Sequence, residues 1–211
     1  ISPFRGEKNT NWEGGYRVPC LVRWPGKIPG GKITNEIMSM QDWVPTLMAA
    51  VGEPDIKEKL KKGHTADGKK FKVHLDGHNL LPHLTGQTNE SPRKSFFYFS
   101  DDGLLVGVRQ NQWKVVFAEQ RARTFRVWSE PFVQLRIPKF FNLRSDPFER
   151  ADTDSNNYDR WWIERSAFGV TRIQEIVGEF IGTFKEFPPR QKPAKFNVDD
   201  VMATMYKTGA H

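Results

Sequence analysis

From residue 96 onward the chain takes up strand periodicity in three successive runs, 96–100, 104–109 and 113–119. Asp102-Gly103 and Gln110-Asn111-Gln112 separate them with residues suited to tight turns. Runs of this length with such connectors specify a three-stranded antiparallel meander, one face of which is free to receive a helix. A fourth short strand is expected at 140–143. Residues 120–139 show no clear period and mix arginines with Phe125, Trp128, Phe132 and Leu135, so they read as an insertion over the sheet or against a partner. From about 158 to 184, Trp162, Ile163, Val170, Ile173, Val177, Phe180, Ile181 and Phe184 recur at helical spacing. They mark one long amphipathic helix, with a break or kink expected near Gly169 and a stop at Pro188-Pro189. Residues 190–211 read as a basic tail with a short helix after Asn197.

Composition bounds the function classes. Seven Trp and sixteen Phe in 211 residues are ample for a core. No apolar run approaches the ~20 residues that a membrane span needs, so no membrane partner is expected. The net charge of +7 raises the question of nucleic acid. Its two basic concentrations are seven lysines between 57 and 72, and Arg121, Arg123 and Arg126. Neither has a helix-turn-helix, zinc-finger or aromatic-platform pattern, so no nucleic-acid partner is expected and solvated loops account for them. The chain begins with Ile1 and carries no signal peptide, so it is expected to be a piece of a longer protein. A single cysteine, Cys20, makes no internal disulfide. In the apolar run Val18-Pro19-Cys20-Leu21-Val22-Arg23-Trp24 it reads as a small buried residue.

That run, closed by Pro25-Gly26, is expected to be a buried strand. Just before it lies the polar stretch Gly6-Glu7-Lys8-Asn9-Thr10-Asn11-Trp12-Glu13-Gly14-Gly15. Gly14-Gly15 allows positive φ and close approach of the backbone. Lys8 falls on a loop held by a rigid element yet free at its tip, a way of aiming one point charge at an anion. A further helix is expected from about 39 to 51. Ser39 and Asp42 have capping-box spacing, Pro45 sits in the first turn, and Trp43, Leu47, Met48 and Val51 form the core face. Residues 55–72 read as a short helix and then a surface loop. Asn79 is placed to cap a short helix that Gly86 closes. His64, His74, His78 and His83 show no zinc spacing, and Asp101 and Asp102 belong to a hairpin turn, so no metal ligand is assigned in this chain.

Lys8-x-Thr10-x-x-Glu13-Gly14-Gly15 followed by Arg17-Val18-Pro19 and Trp24-Pro25-Gly26 resembles the sulfatase family, arylsulfatases in particular. Four later segments resemble that family as well: Asp42-Trp43-Val44-Pro45-Thr46-Leu47, Asp76-Gly77-x-x-Leu80-Leu81-Pro82, the Val108-Arg109 to Trp113-Lys114 hairpin, and Asn142-Leu143-x-x-Asp146-Pro147-x-Glu149. The resemblance spans about residues 4–152. It implies an α/β chain forming the C-terminal part of an alkaline-phosphatase-like sulfatase fold, with a four-stranded antiparallel sheet packed by a long helix. Residues 1–90 would end the catalytic domain, 91–157 would form the sheet subdomain with the insertion 120–139, and 158–211 would add the helix and tail.

The resemblance further implies hydrolysis of sulfate monoesters by a formylglycine nucleophile upstream of this chain, where a calcium or other divalent cation is also held. Lys8 would contact the sulfate, and His78 would stand near the substrate entrance. The implied partners are a sulfate ester small molecule or sulfated glycan and the N-terminal part of the same protein, with room for a homo-oligomer. A periplasmic or secreted location follows from the same resemblance. By itself the chain would be catalytically silent. Two alternatives stay open: a phosphate or phosphonate monoester hydrolase on the same scaffold, and a non-catalytic basic binding module.

Overall fold

A computed structural model describes residues 2–189; the tail and its expected helix after Asn197 lie outside the described residues. In chain order the helices and strands are α1 (Trp43–Ala50), α2 (Ile56–Lys62), β1 (His64–Ala66), β2 (Lys69–Phe71), α3 (Leu81–Leu84), β3 (Ser95–Phe99), β4 (Leu105–Gln110), β5 (Trp113–Glu119), β6 (Val133–Asn142), α4 (Ala151–Asp154) and α5 (Tyr158–Gly182). Strands β3 to β6 form one antiparallel sheet in sequence order, and β1 pairs with β2 in a separate hairpin. The four-stranded sheet and its long helix are therefore as the sequence implies.

Each face of that sheet is covered by a different part of the chain. On one face Val108, Val115 and Phe140 pack with Ile173 of α5, flanked by Phe97, Trp113, Trp161 and Trp162. On the other, Val116, Phe141 and Leu143 pack against Trp12, while Tyr98, Val106 and Ala118 meet Tyr16. Strand alternation explains the division, because successive side chains of β5 point to opposite faces. A register shift between Tyr98 and Phe99 inserts Val106 as an extra residue and turns it to the Tyr16 side. A larger shift between Val116 and Ala118 bows β6 outward around Pro138. That proline is tolerated because it sits in the bulge, where its carbonyl accepts a 2.9 Å hydrogen bond from the Trp162 indole.

Several expectations are corrected. Residues 17–24 form no strand: Leu21 is 98% exposed and Val18 75%, and no strand among the described residues runs alongside. An extended apolar run without neighbours has nothing to bond or bury against. Cys20 is accordingly exposed. The 39–51 segment begins with a 3-10 turn (Met40–Asp42) and carries the expected capping box. Its inward face, however, is Asp42, Pro45 and Thr46, while Leu47 and Val51 are exposed. The expected loop after α2 contains the β1–β2 hairpin, turned by Asp67-Gly68 with both residues at positive φ. The expected strand at 140–143 begins earlier, at Val133, because the bulge conceals its period.

Helix α5 runs unbroken through Gly169. A Cβ added there would lie 2.6 Å from the Phe140 ring. That ring stacks on Trp113 at 5.1 Å and is itself 3% exposed, so it has little room to yield. The glycine brings the helix against the sheet. Gly169→Ala, which ordinarily stabilises a helix interior by ~1 kcal/mol, is expected here to destabilise by about 1–3 kcal/mol through overpacking. Denaturant melts of the two proteins give the sign directly.

Candidate functional site

The site starts with a knot in residues 4–16. The Thr10 hydroxyl donates to the Glu7 carbonyl at 2.6 Å, and the Thr10 and Glu7 amides close the same turn. Lys8 and Asn9, the latter at φ +69°, therefore stand at a locked tip. Gly14 and Gly15 pass so near the preceding strand of chain that an added Cβ would meet the Gly6 carbonyl oxygen at 2.5 Å or that of Glu7 at 2.7 Å. Close approach was expected of this pair; positive φ is not used. Lys8 is exposed, with its ammonium 5.4 Å from the centroid of the Trp128 ring. The two line a cavity of about 480 Å³ together with Tyr16, Asp101, Asp102 and Glu130.

Beneath the knot lies a buried charge cluster. The Lys114 ammonium, fully buried, is 3.0 Å from Glu13 Oε1 and 2.7 Å from Glu149 Oε1, and donates to the Asn11 carbonyl at 2.8 Å. Glu13 also accepts from Tyr98 Oη at 2.5 Å and Arg17 Nε at 2.6 Å, with Arg109 at 3.4 Å. The Glu13 amide donates to Glu149 Oε2 at 2.6 Å. Burial raises the Glu13 carboxyl, but Lys114, the hydrogen bonds from Tyr98 and Arg17, and Arg109 outweigh it and hold the group at about 2. Glu149 moves the other way: burial raises it, the neighbouring Glu13 charge adds to the rise, and Lys114 offsets only part. The acid of the Lys8 motif, the lysine of the Trp-Lys hairpin and the acid after Asp-Pro thus meet at one point.

His78 belongs to a second node. Its amide donates to Asp42 Oδ1 at 2.7 Å, and Arg93 holds the same carboxylate through Nε at 2.8 Å and Nη2 at 2.6 Å. Burial, then Arg93 and Lys57, push the imidazole below its ordinary range, with Asp42 and Asp76 pulling back. His78 does not line the Lys8 cavity. The described residues offer no donor set for a divalent cation: Asp42 is taken by Arg93 and backbone amides, and Glu13 and Glu149 by Lys114. Asp101, Asp102 and Trp128 were not singled out as site residues by sequence. The signal available was the aperiodic aromatic content of 120–139, next to a hairpin turn rich in carboxylates.

Fold and sequence together define the class. Residues 2–53 match the family model described as Sulfatase. A sulfatase from Pseudoalteromonas sp., PsFucS1, superposes with a TM-score of 0.70 at 22% identity, over 90% of this chain and 34% of that one. The fold is thus the alkaline-phosphatase-like α/β fold of sulfatases. The chain is 38% identical over 124 residues to an arylsulfatase of Hemicentrotus pulcherrimus, covering 58% of this chain and 19% of that protein. It is 36% identical over 191 residues to arylsulfatase G of Canis lupus familiaris, covering 86% and 33%. Residues 2–53 thus carry sulfatase-family sequence, and the chain as a whole, similar to arylsulfatases, spans a third or less of the length of these relatives.

The opposite shifts of the two acids give a test. Glu13 is depressed in the folded state, so its contribution to stability is full above about pH 5 and is lost as pH falls from the unfolded value near 4.5 towards 2. Glu149, being raised, opposes folding as pH rises through its folded value. Glu13→Gln is therefore expected to cost about 3–5 kcal/mol at pH 7 and Glu149→Gln clearly less. Thermal melts of both variants between pH 3 and 8 measure the difference, and the Glu13 variant should lose the steepest part of the acid limb.

Proposed function

We propose that this chain is the C-terminal, substrate-facing part of an arylsulfatase-like sulfuric ester hydrolase. The single observation that carries the reading is Lys8 on its Thr10-locked turn, set over a buried charge cluster at the mouth of a cavity. A compact ammonium with three donors suits a tetrahedral oxyanion, and its position is fixed before substrate arrives. In this reading a formylglycine nucleophile and a divalent cation, calcium in most of the family, are supplied by residues outside this chain. His78 stands apart from Lys8 within the chain, so any contact it makes with substrate is through a different wall of the pocket.

The exposed apolar run supports the same assignment. Leu21 (98% exposed), Val18 (75%), Ile33 (90%) and the outer face of α1 at Leu47 and Val51 form surface that a soluble chain ordinarily covers. The N-terminal part of the same protein is the proposed cover. Residues 1–90 then close the catalytic domain, and the chain alone is catalytically silent.

Lys8→Ala in the full-length protein is expected to lower kcat/KM for an aryl sulfate by about 100-fold or more, as loss of one preorganised donor does elsewhere. The same assay on an aryl phosphate separates sulfatase from phosphatase use of this scaffold. Wild-type turnover by the variant would remove Lys8 from the site, and faster turnover of the phosphate ester would overturn the sulfatase assignment.

A further inference from the structure

The locked turn fixes the backbone of Lys8 but not its ammonium, which ends a long flexible stem. Among the described residues that ammonium is in no hydrogen bond or ion pair, although Asp101, Asp102 and Glu130 line the same cavity. What it approaches is the Trp128 ring, 5.4 Å from Nζ to the centroid, within the ~6 Å over which a ring quadrupole attracts a cation. Trp128 ends a 3-10 turn, Thr124–Trp128, that is anchored on both sides of the ring. Before it, the Thr124 amide donates to Glu7 Oε1 at 2.6 Å, on the residue next to Lys8. After it, the Glu130 carbonyl accepts from the Gln120 side chain at 2.7 Å. Thr124 takes φ +56° to make its contact, a strained position for a β-branched residue. Trp128 itself is 58% exposed, so these anchors, and not burial in the core, hold the ring where it is.

Resting on the sulfate-ester reading of Lys8, we propose that Trp128 is a positioning residue: its indole steadies the Lys8 ammonium and leaves the ammonium's donors to the incoming anion. A carboxylate in contact would also steady it, but would take up a donor and cancel the charge where the anion must bind. A ring attracts through its quadrupole and does neither. An ammonium steadied beforehand loses less freedom when the anion arrives, and it stays aimed while charge builds up in the reaction. Glu7 serves the same end. Its backbone starts the turn that bears Lys8 and its carboxylate carries the turn that bears Trp128, so cation and ring share one support.

The test is a double-mutant cycle in the full-length protein, with an aryl sulfate as substrate and inorganic sulfate as competitive inhibitor. Trp128→Leu keeps an apolar side chain without the ring. It is expected to lower kcat/KM and to weaken inhibition by sulfate, each about fivefold, with the melting temperature retained. Trp128→Phe is expected to restore most of both losses. In a Lys8→Ala background Trp128→Leu is expected to change neither quantity further, because the group it steadies is gone. Equal losses in the two backgrounds would overturn the inference, since a ring that acted on the substrate directly, or only on the fold, would not need Lys8. Wild-type kinetics for Trp128→Leu, or a Phe variant no better than the Leu one, would overturn it as well. Lys8→Ala at wild-type turnover gives a different pattern: it removes the sulfate reading itself, and this inference with it.

Discussion

The Lys114 ammonium, wholly inside the molecule between Glu13 and Glu149, is the contact on which the remaining geometry depends. An ammonium out of water is costly and is tolerated only when its partners are close and its donors are used. Here Glu13 and the Asn11 carbonyl accept its hydrogen bonds, and Glu149 Oε1 stands 2.7 Å away as the second ion-pair partner. The excess negative charge is met by Arg17 and Arg109 on Glu13, and the Tyr98 hydroxyl completes its shell. Such clusters contribute little net stability compared with an apolar replacement, but they admit very few arrangements. The gain is in orientation: the turn bearing Lys8 is fixed relative to β5 and to the chain after β6, positions more than 100 residues apart in sequence for Glu13 and Lys114.

A second buried pair does the same for the other half of the family-matched segment. Arg93 clamps Asp42 with two nitrogens and also donates to the Ser95 and Asp76 carbonyls. The start of α1, the 76–80 segment and the entry to β3 are thereby joined at one carboxylate. Between the two clamps, residues 17–33 are tethered lightly and bear the most exposed apolar side chains. Two rigid fixings with an extended, uncovered run between them are what a chain needs if that run is to be received by another surface without shifting Lys8.

What was legible in the sequence follows from what each signal encodes. Strands β3 to β5 were readable to within a residue or so because two-sided burial and turn chemistry are local. The Ser39–Asp42 capping box was readable for the same reason. The buried face of α1 was misread because Leu47 and Val51 announce an apolar stripe without saying what stands opposite. Residues 18–24 failed identically. The β1–β2 hairpin was hidden by lysines in both strands, and β6 by a bulge that breaks alternation. Least legible was the charge cluster: Glu13, Lys114 and Glu149 each look like surface residues in a linear reading, and only their family motifs hinted that they were more.

The segment 120–132 lacks a period because it packs on a knot, which has none to match. Its fixings are individual hydrogen bonds, from Thr124 to Glu7 and from Gln120 to Glu130, plus the burial of Val127. The Gln120 amide also donates to Asn11 Oδ1 at 3.0 Å, one residue from Thr10. Positions that set Lys8 therefore also set Trp128, and a displacement of the knot would carry both walls of the cavity together. A loop built on a sheet edge would have left them independent. Strain at Thr124 is consistent with that coupling: a β-branched residue is kept at positive φ only where neighbouring contacts outweigh the cost, and here those contacts lie on the very residue beside the ammonium.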